Sequence, residues 1–285
     1  MQAKDRLMFR VLLNKFHPKT MDAFLKNMPA SLAKEISDQT ILANDPMHLL
    51  SQPQLLIEKV HYSWLLDSFK QLPDGLKPSV LAALPEAHAN GISKAFKFPV
   101  QKIDHSPPFK RFLINFFYSR FEKKEVLPLE FLPETELNVL TSFSKPMLVA
   151  IIDYLGIYDL AEEVRHIVEK NLLTSLYAVL SPKKQHFLKL CLNQKEKLVT
   201  PRLGIESWDG QKESLEKILH KRGLIRLSHA LTGAHPDFLW HIVHLLDSGR
   251  GTIIAAHYKP DQNPAVSAAL TAQVLNVINF LNKKS

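Results

Sequence analysis

Four histidines stand close together towards the C-terminal end: His229, His235, His241 and His244. His241 and His244 are three residues apart, a spacing that puts both rings on one side of a helix, where they could bind a divalent metal. A catalytic zinc helix also carries a glutamate beside its first histidine. Here Leu239, Trp240 and Ile242 surround His241 instead. The chain has no glycine-rich phosphate loop, no G-x-S-x-G elbow and no paired-cysteine motif. Its one cysteine, Cys191, lies among Leu188, Leu190 and Leu192, the setting of a packed thiol rather than a nucleophile. A single cysteine also excludes an internal disulfide and suits a reducing cytosol. We therefore expect no catalytic residue, no metal site and no cofactor, and a protein that acts by binding.

Other groups are placed to bind. Lys212, Glu213, Glu216 and Lys217 cluster on the outer side of a helical stretch, with Glu213 and Lys217 at i,i+4. Asp209 precedes them as an expected helix cap. Near the other end, His17, Pro18 and Lys19 start a short helical stretch. These eight residues are the candidate partner-binding positions.

The elements that must position them are helical. Over 285 residues there are 9 glycines and 18 prolines, and hydrophobic residues make up 46%, which favours helices punctuated by proline over strands joined at glycine turns. The segment "HPKTMDAFLKNMP", residues 17–29, has a counterpart in "HYSWLLDSFKQLP", residues 61–73. Just beyond, Leu32 corresponds to Leu76 and Ile36 to Val80. Helix–turn–helix units of this size stack, as in armadillo-like repeats, because none buries its apolar face alone. Residues 54–72 are expected as one long helix with Leu56, Val60, Trp64 and Leu65 in a stripe.

Residues 101–134 are expected to be a linker carrying an amphipathic helix, "FKRFLINFFYSRF", of a basic-aromatic kind that can lie on a membrane but here is expected to bury Phe109, Phe112, Leu113, Phe116 and Phe117 against the rest of the protein. Domain limits follow as 1–100 for the repeats, 101–134 for the linker, 135–200 for a middle helical region and 201–285 for a C-terminal bundle. In the middle region Asp159 or a neighbour is expected to open a helix, and Ser181-Pro182 the next. The C-terminal bundle is expected to hold five helices, the last after Asn263-Pro264. The fold class expected is all-α, with stacked helical layers followed by this bundle. No signal peptide and no bilayer-spanning stretch are expected.

The C-terminal residues carry a resemblance. "WDGQKESLEKILHKRGLIRLSHALTGAHPDFLWHIV", then "SGRG", then "AQVLNVINFL", is similar to the C-terminal domain of the flagellar motor-switch family FliG. Ala230-Leu231-Thr232-Gly233-Ala234 matches that family's A-L-x-G-A turn, Ser248-Gly249-Arg250 its serine–arginine turn, and Ala272-Gln273 its closing helix. Phe16-His17-Pro18-Lys19-Thr20 resembles the Glu-His-Pro-Gln-Thr motif of its armadillo-like middle region. The paired acids that open the family's charged helix are reduced here to Asp209, followed by Gly210 and Gln211. Phe16 replaces the acid of the His-Pro motif, and Lys19 its glutamine.

The resemblance implies a non-motile relative, a cytoplasmic scaffold or adaptor at the base of a type III secretion apparatus or flagellum. Its partners would be inner-membrane ring and cytoplasmic ring proteins, with self-association by domain stacking. The net charge of +8 and pI near 9.4 leave a second reading, a basic helical-repeat protein binding nucleic acid. The basic residues are interspersed with acids and no base-reading side chains recur, so nucleic acid is not the expected partner.

Overall fold

The computed structural model describes residues 3–38, 58–121, 126–127, 129–193, 202–259 and 263–283. Every regular element among them is helical and none is a strand, so the chain is all-α. It divides into two compact units, Met1–Leu132 and Pro133–Ser285.

In the first unit α1 (Ala3–Phe16), α2 (Met21–Lys26) and α3 (Ala30–Ser37) form one group. Val11, Leu13 and Ile36 are buried. Arg10 donates to the carbonyls of Ile36 and Ser37, supplying partners to the open end of α3. His17, Pro18 and Lys19 are exposed at the turn between α1 and α2.

The helix expected over 54–72 is not continuous: Gln54–Ile57 lie outside the described residues, and the backbone breaks at Val60 and His61. His61 then accepts from the Ser63 amide to start a 3-10 turn, Tyr62–Leu65, which runs into α4 (Leu66–Lys70). A histidine that can cap competes locally with helix continuation. Pro29 and Pro73 do share a role: each precedes a helical element, at φ −54, ψ 134 and φ −56, ψ 140. Ile36 and Val80 are both fully buried. After Pro73 come α5 (Lys77–Ala83), α6 (Glu86–Phe96) and α7 (Pro107–Phe121), packed around Leu65, Phe69, Leu81, Ile92, Leu113 and Phe117. Thus α7 belongs to this unit rather than to a linker.

The second unit holds α8 (Lys145–Val164), α9 (Lys170–Val179), α10 (Pro182–Leu192), α11 (Lys212–Ala230), α12 (Pro236–Leu245), α13 (Ser248–His257) and α14 (Pro264–Asn282). α8 packs on α10, α11 and α14, so 135–200 and 201–285 fold together and no boundary between compact units falls at 200. Tyr154, Phe187 and Phe280 make the aromatic centre, with ring centroids 4.7–5.6 Å apart. Ser181 caps α10 by accepting from the Lys184 amide, and Asn263 caps α14 by accepting from Ala265. Arg165 closes α10 from outside, donating to the Cys191 and Leu192 carbonyls at 3.1 and 3.0 Å.

Three expectations are corrected here. Asp159 opens no helix; it is buried within the last turns of the 20-residue α8. The C-terminal bundle is expected to hold five helices, but the backbone runs through Gly223 without a break in one 19-residue helix, α11, so the described residues of 207–285 form four. The cap of α11 is Gln211; Asp209 acts two residues earlier, accepting from the Gln211 amide at 3.0 Å and from the Ser214 hydroxyl. In addition, α14 carries no charged residue and is long and apolar enough to cross a bilayer by length and composition. Its Leu270, Val274, Val277 and Ile278 are buried in the unit. Its Ser267 and Thr271 hydroxyls donate to the carbonyls of Thr232 and Ala230.

Candidate functional site

The second unit is organised around the crossing of α8 and α11. Gly156 lies against the backbone of Leu219, and Gly223 against that of Ile152. A Cβ on either glycine would overlap the facing carbonyl oxygen. The two helices therefore touch backbone to backbone, and reciprocal glycines are what allow it.

One turn beyond, the seam turns ionic. Asp159 is 3% exposed and Arg226 4%. Arg226 Nε donates to Asp159 Oδ1 at 3.0 Å, and Arg222 Nε to Oδ2 at 2.7 Å. Arg226 also donates to the Gln273 side-chain oxygen of α14, so one guanidinium ties three helices. Burial pushes the Asp159 carboxyl up, but Arg226 and Arg222 outweigh it and hold the group below its ordinary range.

A more exposed chain of polar contacts runs along the same crossing. His220 Nδ1 lies 2.6 Å from Asp153 Oδ1, and Arg250 Nε donates to His220 Nε2 at 2.8 Å. Arg250 and Lys145 both pair with Asp247, which caps α13. Burial opposes ionisation of Asp247, yet its hydrogen bonds and charge contact with Arg250, together with Lys145, bring its pKa down to about 2.

This rigid crossing presents the first turns of α11 to solvent. Lys212, Glu213, Glu216 and Lys217 are all exposed, and so is Asp209 in front of them. Glu216 pairs with Lys184 of α10 at 3.8 Å, a contact between helices that the i,i+4 reading does not anticipate. His17, Pro18 and Lys19 belong to the other unit.

The histidines serve separate structural ends. His235 caps α12 by accepting from the Asp237 amide at 3.1 Å. His244 stacks on Trp240 with centroids 4.1 Å apart, and His241 meets the same ring edge-on. Among the described residues no group of three or more His, Cys, Asp or Glu side chains could hold a metal ion. Cys191 is buried, and desolvation pushes its thiol up to about 12 against the pull of Arg226 and Arg165, so it stays protonated at neutral pH.

His229 has a buried Nε2 without a hydrogen-bond partner. Desolvation, then Lys259, His257, Arg226 and Arg222, depress its pKa. Acid should therefore weaken the second unit in two stages. Below about 6.5 the unfolded chain takes up a proton that folded His229 resists, so stability falls with pH. Below about 4 the unfolded carboxylates protonate while Asp159 and Asp247 resist, and the stability they contribute at neutral pH is lost as pH falls through their folded pKa values, about 2 for Asp247. Urea midpoints at pH 7.5, 5.5 and 3.5 should fall in that order. His229→Leu should flatten the first interval, and an unchanged slope there would assign it to another group.

No known protein family, curated protein or solved structure matches the chain.

Proposed function

We propose that the protein is a non-enzymatic scaffold or adaptor in the cytoplasmic ring at the base of a type III secretion system or flagellum. The observation that carries this reading is the exposed charged run Asp209, Lys212, Glu213, Glu216 and Lys217 at the free end of a helix whose other half is locked into a glycine and Asp159 seam. Such a helix offers a fixed pattern of charge at no cost in ordering, which suits recognition by register and sign.

The residues that carry the FliG resemblance support this reading by where they sit. Ala230 ends α11 and Leu231–Ala234 lead from it towards α12, Ser248-Gly249-Arg250 is the first turn of α13, and Gln273, inside α14, takes the Arg226 hydrogen bond. In this reading the first unit supplies armadillo-like layers for stacking, with His17, Pro18 and Lys19 at an exposed corner. The inner-membrane ring and cytoplasmic ring proteins are its partners, at the cytoplasmic face of the inner membrane.

Reversing Glu213 and Glu216 to lysine tests it. The Lys184–Glu216 pair is partly exposed, so the double variant should lose under about 1 kcal/mol in urea unfolding. Recovery of ring proteins encoded in the same genome should fall sharply in a pull-down. Wild-type recovery of every ring protein by the folded variant would remove this face from docking. Co-purification of nucleic acid with a steep loss on adding salt would favour the nucleic-acid reading instead.

A further inference from the structure

The first unit carries a surface that the adaptor reading does not use. Helix α7, "PPFKRFLINFFYSRF", turns Leu113, Ile114 and Phe117 into the unit. Phe109 and Phe112, expected to be buried with them, are 43% and 59% exposed. The Phe109, Phe112 and Phe116 rings follow one another at 6.2 Å steps with planes within 20° of parallel. They form a ridge about 10 Å long at 1.5 Å per residue. His105 meets Phe109 edge-on at 5.2 Å at one end, and at the other the Arg120 guanidinium lies 4.6 Å over Phe116. Arg111 and Phe112 line an open depression together with Pro107, Pro108 and Asn115.

The helix contains no acid. Between residues 97 and 121 the charged side chains are Lys97, Lys102, Lys110, Arg111 and Arg120 against Asp104.

We propose that this face of α7 docks on an anionic lipid bilayer, with Phe109 and Phe112 entering the headgroup–acyl boundary and Arg111 and Arg120 pairing with lipid phosphates. Charge complementarity selects the occupant. Arg120 sits at one end of the ridge and Arg111 beside Phe112, α7 itself carries no acid, and the ring faces offer no hydrogen-bonding group. A protein helix would need polar groups to fix its register. A lipid surface needs only apolar depth and a net positive charge, and both are present. The inference does not depend on the adaptor role.

The test is co-sedimentation of the full chain with phosphatidylcholine vesicles, with and without roughly 30% phosphatidylglycerol. The wild-type chain should pellet with the anionic vesicles and stay in solution with the neutral ones. F109S/F112S leaves the net charge unchanged and should weaken binding at least about five-fold, which general adsorption of a basic protein would not show. Melting by circular dichroism accompanies the variant. Should it unfold early, S119D keeps every ring, adds an acid at an exposed position of α7, and must show the same loss. Wild-type chain left in solution with anionic vesicles would overturn the proposal. So would F109S/F112S pelleting like wild type, or capture by an acidic amphipathic peptide without any vesicle binding.

Discussion

Replacing Asp159 by alanine should cost about 3–5 kcal/mol of stability, the range for removing one partner of a buried charge pair. The loss comes mostly from what is left behind. Arg226, 4% exposed, would keep its charge with only the neutral oxygen of Gln273 and the face of Tyr158, 5.6 Å from its guanidinium carbon. Arg222 is less enclosed and can turn towards water. Urea unfolding of the full chain, followed by near-ultraviolet signal, should show an early transition for the second unit. D159L/R226M is the informative companion. It removes both buried charges and keeps apolar volume, so it should recover much of the loss. If D159A alone unfolds like wild type, the seam contributes specificity and no stability.

Gly223→Ala is the second large effect. Helix propensity alone favours alanine by roughly 1 kcal/mol in a helix interior. Against that stands a methyl placed on the Ile152 carbonyl, a backbone atom that cannot swing aside. Overpacking typically costs about 1–3 kcal/mol when side chains can shift, and here α8 must move bodily, so a loss of about 3 kcal/mol or more is expected. Gly156→Ala should behave alike, because its methyl meets the Leu219 carbonyl. Gly75→Ala is the control: nothing lies within 4 Å of its added methyl. A Gly223→Ala chain as stable as that control would mean the helices can separate without penalty.

Local chemistry was legible in the sequence where it acts within a few residues. Ser181-Pro182 and Asn263-Pro264 open their helices because a cap needs only its own next turn. The all-α class follows from proline punctuation and composition in the same way. What periodicity misreads depends on partners distant along the chain. An aspartate among apolar residues looks like a helix start; Asp159 is instead mid-seam because Arg222 and Arg226 reach it from α11. Gly223 looks like a break, but it continues the helix where another backbone arrives. The i, i+3, i+4 pattern of α7 places Phe109 and Phe112 with Leu113 and Phe117 on a broad stripe, and the unit covers only part of that stripe. The charged face of α11 was readable, since its residues are exposed whatever they bind. The Lys184–Glu216 contact was not, because α10 brings it.

The backbone contact between α8 and α11 also bears on how the second unit forms. Asp159 and Arg226 are 67 positions apart, and the seam closes only when both helices are complete and brought together. Loop closure over that span delays the step, so the native crossing belongs late on the folding route, after local turns such as α12–α13 have formed. Two glycines without side chains leave no partly engaged arrangement to linger in: the carbonyls either nest or stay apart. Exchange of the α8 amides around Gly156 should then proceed through whole-unit unfolding and report its full free energy, while the amides at the exposed start of α11 exchange through fraying.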